Sequence, residues 1–119
     1  MKQSDIEISL KELNSLVLEG RLMDAFEKFY HNDVQMQEND LPPTLSKEVN
    51  RQREQQFLSN VTEFRTAEIK GMAVSGNASF VIWHYDYTHK EWGIRNYSQV
   101  SVQEWQDGKI IKEKFIYLN

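Results

Sequence analysis

The sequence has no cysteine among its 119 residues, which excludes disulfide bonds and thiolate metal sites. It has no excess of basic residues either, since 14 Lys and Arg stand against 18 Asp and Glu and give a formal net charge of −4. A nucleic-acid-binding domain usually carries a basic face. The composition therefore argues against a nucleic-acid partner.

Long apolar runs are also missing, because no stretch approaches the length of a signal-peptide core or of a membrane span. We therefore expect a cytoplasmic protein with no membrane partner. The length predicts a single domain over residues 1–119, large enough to bury one core. The chain lacks a phosphate-binding Gly-rich loop and a Gly-x-Ser-x-Gly motif, so we expect no cofactor.

Apolar periodicity and turn residues predict helices in the first half of the chain and strands in the second. The predicted helices cover 5–18, 22–30 and 46–60, and the predicted strands cover 34–38, 62–75, 78–88, 95–106 and 109–118. The third helix is unusually polar, which is typical of a solvated helix lying over a sheet edge or a pocket mouth. Helices followed by strands predict an α+β domain with a curved antiparallel sheet wrapped around the N-terminal helices.

The Asp107-Gly108 pair predicts a two-residue hairpin turn, because both residues tolerate positive φ. An uninterrupted ladder from that turn pairs Val102 with Glu113 and Val100 with Phe115, on one side of the sheet. The side that contains those pairs is the more apolar one, so we assign it to the concave face. The opposite side then carries Tyr97, Gln99 and Trp105, and an aromatic surface of that kind indicates a homodimer through the convex face. A lone exposed Trp is the alternative.

The strand over 78–88 has two apolar faces. One contains Phe80, Ile82, His84 and Asp86, and the other contains Val81, Trp83, Tyr85 and Tyr87. A shift of one residue in strand pairing exchanges the two faces, so the sequence pattern leaves both orientations open.

Two segments together resemble the SnoaL-like branch of the nuclear-transport-factor-two-like superfamily. The first segment is residues 20–30 followed by Asp33-Val34-Gln35-Met36, and the second is residues 107–111 leading into Phe115-Ile116-Tyr117. The resemblance implies a cone, often dimeric, in which a bent sheet encloses an apolar cavity. The superfamily contains polyketide cyclases, ketosteroid isomerases, epoxide hydrolases, dehydratases and non-enzymatic binding modules, so the fold does not decide the function.

The resemblance can be compared with two enzyme classes, residue by residue. Phe115 stands where SnoaL-like cyclases carry an acid/base Asp on the last strand. Glu38 matches the carboxylate base of ketosteroid isomerases, whereas Leu13 and Val100 stand where those enzymes carry a Tyr and a second acid. The resemblance also favours the face with Phe80, Ile82, His84 and Asp86 as the inward one, and Trp83 and Tyr85 then join the convex dimer surface.

These assignments predict a pocket with four candidate catalytic residues, namely Glu38, His84, Asp86 and Glu113. The predicted pocket-lining residues are Tyr30, Met36, Phe57, Phe64, Phe80, Ile82, Val100, Val102, Phe115 and Tyr117. A carboxyl group in apolar surroundings has a raised pKa, and a His beside a carboxylate can carry a proton near neutral pH. Simple structural roles are the alternative: Glu113 paired with a cation, Glu38 solvated, and His84 with Asp86 as a satisfied pair.

The spacing His84-x-Asp86-x-x-His89 does not predict a metal site, because His89 points to the other side of a strand. Three functions remain. The first is binding of a small apolar molecule in the cavity, and the second is a cofactor-independent isomerase, lyase or hydrolase. The third is a dimeric protein-interaction module.

Overall fold

A computed structural model describes residues 2–118. Helix α1 covers Gln3–Leu18, α2 covers Leu22–Phe29 and α3 covers Lys47–Asn60. The strands are β1 (Tyr30–Glu38), β2 (Thr44–Leu45), β3 (Val61–Ser75), β4 (Ala78–His89), β5 (Gly93–Gln106) and β6 (Lys109–Ile116). The predicted α+β class and element order are confirmed. Strand β1 begins earlier than expected, and the short β2 was not predicted.

One curved, unclosed sheet has the strand order β2-β1-β6-β5-β4-β3, in which β1 and β6 are parallel and the other pairs antiparallel. Its concave side packs on the helices. Ile6, Leu10 and Leu13 recur on one face of α1 and are buried there. Phe26 and Phe29 of α2 complete the helical side of the core. Within residues 2–118 no helix is long and apolar enough to cross a membrane.

The closing hairpin contains a β-bulge that changes which residues face the core. The turn forms as predicted, with φ of 55° at Asp107 and 81° at Gly108. The ladder starts with Gln106 opposite Lys109, but Glu104 then pairs with Lys112, so Ile111 is an additional residue. An additional residue on one strand shifts all later pairs by one.

The prediction for Val100 and Val102 is therefore wrong, because the bulge places both side chains on the convex face. Glu113 pairs with Gln103 and Phe115 pairs with Ser101, and these pairs lie on the concave face. An uninterrupted ladder would place Val100 and Val102 on the concave face, but a shift of one residue turns a side chain from one face to the other.

The inward orientation predicted for strand β4 is also wrong. Val81, Trp83 and Tyr87 are buried on the concave side, whereas Phe80, Ile82, His84 and Asp86 alternate with them and lie on the convex side. The aromatic rings of Trp83 and Tyr85 stack with centroids 5.4 Å apart under the helices. Burying these rings removes more apolar surface from water than burying the His84 and Asp86 face would.

The residues predicted to form a convex dimer surface are on the concave side of the sheet. Trp83 is 3% exposed and Trp105 is 2% exposed, and Gln99 is likewise buried. Tyr85 and Tyr97 are half-buried beside them, with ring centroids 6.1 Å apart. Trp83, Gln99 and Trp105 are therefore interior residues of a single chain, and Tyr85 and Tyr97 lie on the same side of the sheet.

A homodimer remains a prediction, and residues that are exposed on the convex face can test it. Ile82 is 43% exposed near the middle of the convex face. If two convex faces pack together, Ile82→Lys should convert a dimer into a monomer, because it places a charge inside an apolar interface. Size-exclusion chromatography with light scattering measures this, and Ile8→Lys on exposed α1 surface is the control. A monomeric wild-type protein contradicts the dimer.

Candidate functional site

Helix α3 places an unusually polar set of side chains against the sheet. Lys47, Asn50, Glu54 and Phe57 follow one another at spacings of three, four and three residues, which puts them on one helix face. The helix begins at Ser46, whose Oγ accepts a hydrogen bond from the backbone N–H of Val49 at 3.2 Å. This hydrogen bond caps the N-terminus of the helix.

Two of the inward polar side chains of α3 are fully occupied by structural hydrogen bonds. The Lys47 Nζ donates to the backbone oxygen of Glu27 at 2.8 Å. The Asn50 amide lies within 3.3 Å of three backbone oxygens, those of Val34, Thr44 and Ser46. Asn50 thereby joins β1, β2 and the start of α3. These two residues serve the fold, and Phe57 packs among aromatic rings at the far end of the helix.

A chain of hydrogen bonds between buried side chains crosses the concave face of the sheet. The Trp105 indole N–H donates to Ser79 Oγ at 2.8 Å, and Ser79 Oγ is 2.6 Å from the Gln103 amide oxygen. The Gln103 amide nitrogen donates to Glu113 Oε2 at 2.8 Å. The Tyr30 hydroxyl donates to the other oxygen of Glu113. Both oxygens of the Glu113 carboxylate are therefore occupied.

Glu113 is the most deeply buried carboxyl group at this site, with 2% of its surface exposed. Burial raises the pKa of Glu113 to about 7, although the hydrogen bonds from Tyr30 and Gln103 act in the opposite direction. The nearby charge of Glu38 raises the pKa further. Glu113 thus changes protonation near neutral pH instead of near its ordinary value of 4.5.

Glu54 of α3 is a second carboxyl group with a raised pKa. The Glu54 side chain is half-buried, and this burial, together with the charges of Glu113 and Glu38, raises the pKa of Glu54 to about 7. The positive charge of Arg53 only partly offsets these effects. Among residues 2–118 no donor is hydrogen-bonded to the Glu54 carboxyl group.

A pocket of about 260 Å³ opens beside Glu54. The end of β1, the segment 39–45, helix α3 and the end of β6 form its walls. Apolar walls come from Met36, Leu41 and Phe115, and polar groups come from Glu38, Arg53 and Glu54. Burial raises the pKa of Glu38 as well, while hydrogen bonding by the Tyr117 hydroxyl acts against that increase.

Of the fourteen side chains predicted for this site, three line the pocket, namely Met36, Glu38 and Phe115. Tyr30 is hydrogen-bonded to Glu113, and neither of these two residues is part of the pocket lining. Tyr117 borders the pocket through its contact with Glu38.

The other predicted site residues lie elsewhere. His84 Nδ1 is 3.0 Å from Ser98 Oγ, and Asp86 forms an ion pair of 2.9 Å with Arg65, so both have structural partners on the convex face. The same convex face carries two cross-strand pairs, Phe80 with Val102 and Ile82 with Val100. Phe64 is exposed on the outermost strand β3.

Phe57 lies at the opposite end of α3 from the pocket opening. It packs on Tyr87, His89 and Trp92, and the His89 ring stacks on Trp92 with centroids 3.7 Å apart. Across residues 2–118, no three His, Cys, Asp or Glu side chains are grouped so that they could hold a metal ion.

Glu54, Arg53 and Gln103 belong to this site but were not predicted from the sequence. A signal for Glu54 was present, because Lys47, Asn50, Glu54 and Phe57 have helical spacing and include the helix's one aromatic residue. An inward face built from polar residues was mistaken for a solvated one, since a charge run is usually solvated.

Comparisons with known proteins agree with this architecture. The family model for the SnoaL-like domain matches residues 4–117. No curated protein sequence matches the chain. A proposed SnoaL-like polyketide cyclase from Mesorhizobium loti superimposes with a TM-score of 0.84 at 26% identity, covering 94% of this chain and 98% of that one.

Two more distant structures share the fold. A nuclear-transport-factor-two-like protein of unknown function from Burkholderia xenovorans has a TM-score of 0.79 at 17% identity, covering 100% of this chain and 87% of that one. A protein of unknown function with a cystatin-like fold from Xanthomonas campestris has a TM-score of 0.80 at 12% identity, with 100% and 92% covered. The fold and the matched family model agree, and the chain belongs to the SnoaL-like domain family.

Proposed function

We propose that this domain binds a small organic molecule in the pocket beside Glu54. The observation that supports this most directly is the pocket of about 260 Å³, at whose wall the half-buried Glu54 carboxyl group accepts no hydrogen bond from residues 2–118. A carboxyl group that faces a pocket without a protein donor is free to hydrogen-bond to a ligand there.

The size and the walls of the pocket suggest the kind of ligand. Its 260 Å³ falls just below the ~300–1,000 Å³ typical of sites for drug-sized molecules, so the ligand is small. Met36, Leu41 and Phe115 provide an apolar surface on one side, and Glu38 and Glu54 provide polar groups on the other. A compact, mostly apolar molecule with one or two oxygen atoms fits that division.

The similarity to the proposed cyclase of Mesorhizobium loti makes fragments of polyketides reasonable first ligands to test. The cyclisation reaction is not part of this proposal, because Phe115 lines the pocket where the family resemblance would require an acid/base Asp.

Filling the pocket should abolish binding without unfolding the protein. Thr44 lines the pocket and the next residue, Leu45, is exposed outside it, so Thr44→Trp should block the pocket while Leu45→Trp should not. The measurement is a thermal-shift screen with small ketones, aromatic polyketide fragments and epoxides. A ligand at about 100 times its Kd stabilises the native state by roughly 2.7 kcal/mol.

The proposal would be supported if a set of chemically related compounds stabilised the wild-type protein and Leu45→Trp but did not stabilise Thr44→Trp. Hits that survive Thr44→Trp would place binding at another site and contradict it. The proposal would also be contradicted if no compound in the panel raised the melting temperature of the wild-type protein.

A second candidate function is acid/base catalysis on the bound molecule without a cofactor. It is favoured by two adjacent carboxyl groups, Glu54 and Glu113, with pKa values of about 7, close to the value that suits a general acid or base at neutral pH. Glu38 at the same pocket could then act as the base.

The variant Glu38→Gln tests this second function. It should keep ligand affinity and lose turnover, which would be detected by NMR spectra of the bound compounds recorded over time. Bound compounds that remain unchanged with wild-type protein would leave binding as the function.

A further inference from the structure

We infer that Arg95 and Tyr97 form an anion-binding subsite next to the pocket, and that the ligand of this domain is a small aromatic carboxylic acid bound as its carboxylate. The inference rests on the proposed binding function and names its ligand class. The carboxylate would contact Arg95 and Tyr97, and the aromatic ring would extend over Tyr117 towards the pocket.

Arg95 differs from most arginines of the chain in having no carboxylate partner. Three of the five arginines form ion pairs of 2.8, 2.8 and 2.9 Å, namely Arg21 with Asp24, Arg51 with Glu27 and Arg65 with Asp86. Among residues 2–118, Arg53 and Arg95 have no carboxylate oxygen within 4.0 Å. Arg53 is exposed and donates to Thr44, whereas Arg95 is half-buried. A half-buried guanidinium without a carboxylate partner is free to bind an anion there.

Arg95 lies among tyrosine rings on the concave face of β5. Alternation along the strand gives Arg95 and Tyr97 the same face as the buried Gln99. The guanidinium carbon of Arg95 is 4.6 Å from the centre of the Tyr97 ring, and Tyr87 is the cross-strand neighbour of Arg95. A guanidinium stacked on a ring presents its N–H donors in its own plane, which matches the geometry of a carboxylate.

The Tyr97 hydroxyl supplies a second donor. The hydroxyl oxygens of Tyr87 and Tyr97 are 3.3 Å apart, so one hydroxyl donates to the other. Tyr87 is 2% exposed, so its proton needs an acceptor inside the protein, and the structure provides the Tyr97 oxygen. The proton of the half-buried Tyr97 hydroxyl then points to a partner outside this pair. Burial raises the pKa of Tyr97, so this hydroxyl keeps its proton.

The ring of Tyr117 connects this subsite to the pocket. Its centroid lies 5.5 Å from that of the Tyr97 ring. The Tyr117 hydroxyl is hydrogen-bonded to Glu38, which lines the pocket together with Phe115. A ligand whose carboxylate is bound by Arg95 would therefore stack its ring on Tyr117 and reach the apolar wall at Phe115. In this orientation the ring, and not the carboxylate, lies next to Glu38.

Benzoate and benzamide are probes of the same shape that differ in charge. Their affinities at neutral pH can be measured from amide chemical-shift changes in NMR spectra. We expect benzoate to bind about tenfold more tightly than benzamide, because a hydrogen bond to a charged group contributes more than one between neutral groups.

Arg95→Gln is the decisive variant, because it removes the positive charge and keeps a polar side chain. It should lower the affinity for benzoate to that for benzamide and leave the affinity for benzamide unchanged, which also shows that the variant is folded. Arg95→Lys keeps the charge and should retain part of the preference for benzoate. Arg21→Gln, at the exposed start of α2, is the matched control, because it changes the net charge equally and should keep the wild-type affinities.

Three results would overturn the inference: equal affinities of the two probes for the wild-type protein, no binding of benzoate, or a benzoate affinity that Arg95→Gln leaves unchanged. If the probes bind equally and Thr44→Trp removes both, the pocket remains the binding site and only the anion subsite is wrong. If benzoate binds Thr44→Trp but not Arg95→Gln, the subsite at Arg95 is supported and binding in the pocket is contradicted.

Discussion

Raising the pH from about 5 to about 8 is expected to destabilise the domain by roughly 2–3 kcal/mol, contrary to the usual behaviour of buried carboxylates in ion pairs. The folded-state pKa of Glu113 is about 7 against an ordinary value of 4.5, because burial disfavours its charge. The folded state thus binds more protons than the unfolded state between these values. The stabilisation is complete below about pH 4.5 and is lost as the pH rises through about 7.

Glu54 has the same direction of shift, but the two carboxyl groups are coupled, so we count one proton for the pair. For a domain of 119 residues the loss corresponds to a decrease in melting temperature on the order of 10 °C. Melting curves at a series of pH values measure it.

Glu113→Gln should flatten this pH dependence, because a carboxamide of the same shape has no charge to bury. Its amide oxygen can accept from Gln103, and its N–H group can donate to the Tyr30 oxygen. Glu104→Gln is the matched control on neighbouring β5, where the side chain is exposed. A pH profile of Glu113→Gln that equals the wild-type profile would show that Glu113 does not titrate as described.

Trp105→Ala is expected to destabilise the folded chain by about 3–5 kcal/mol, the range measured when a buried large aromatic residue is truncated. Trp105 is 2% exposed and packs edge-on against Phe29, with ring centroids 6.4 Å apart. The substitution leaves a cavity there, and it also leaves Ser79 Oγ without its donor. Urea unfolding followed by circular dichroism measures the loss.

Trp92→Ala is the control for that experiment, because Trp92 is 57% exposed at the β4–β5 turn. It should cost about 1 kcal/mol, from its stacking on His89. If Trp105→Ala kept the wild-type urea midpoint and changed only the oligomeric state, Trp105 would be an interface residue, as the sequence pattern first indicated.

Local signals in the sequence were sufficient for most of the secondary structure. Helical spacing and positive-φ turn residues act over a few positions, so they can be interpreted without knowing the fold. The turn at Asp107-Gly108 and the apolar stripe of Ile6, Leu10 and Leu13 are examples that the structure confirms. The family resemblance extended these signals to the correct α+β cone.

Local signals could not decide which face of each strand points towards the helices. Strand β4 is apolar on both faces, so alternation alone could not choose between them. The bulge at Ile111 reverses the faces of one strand relative to the other, and the hairpin turn itself gives no sign of it. Glu113 was correctly placed on the concave face, whereas Val100 and Val102 on the neighbouring strand β5 were not.

By itself, the sequence determined the elements, the family and two of the pocket's acidic or aromatic positions, Glu38 and Phe115. Only the tertiary structure decided that Glu54 belongs to the site and that His84 and Asp86 do not. The physical reason is that the pKa and the role of a carboxyl group depend on which charges, donors and apolar surfaces surround it. Those neighbours come from α3, β1 and β6, which are distant in sequence and meet only in the folded domain.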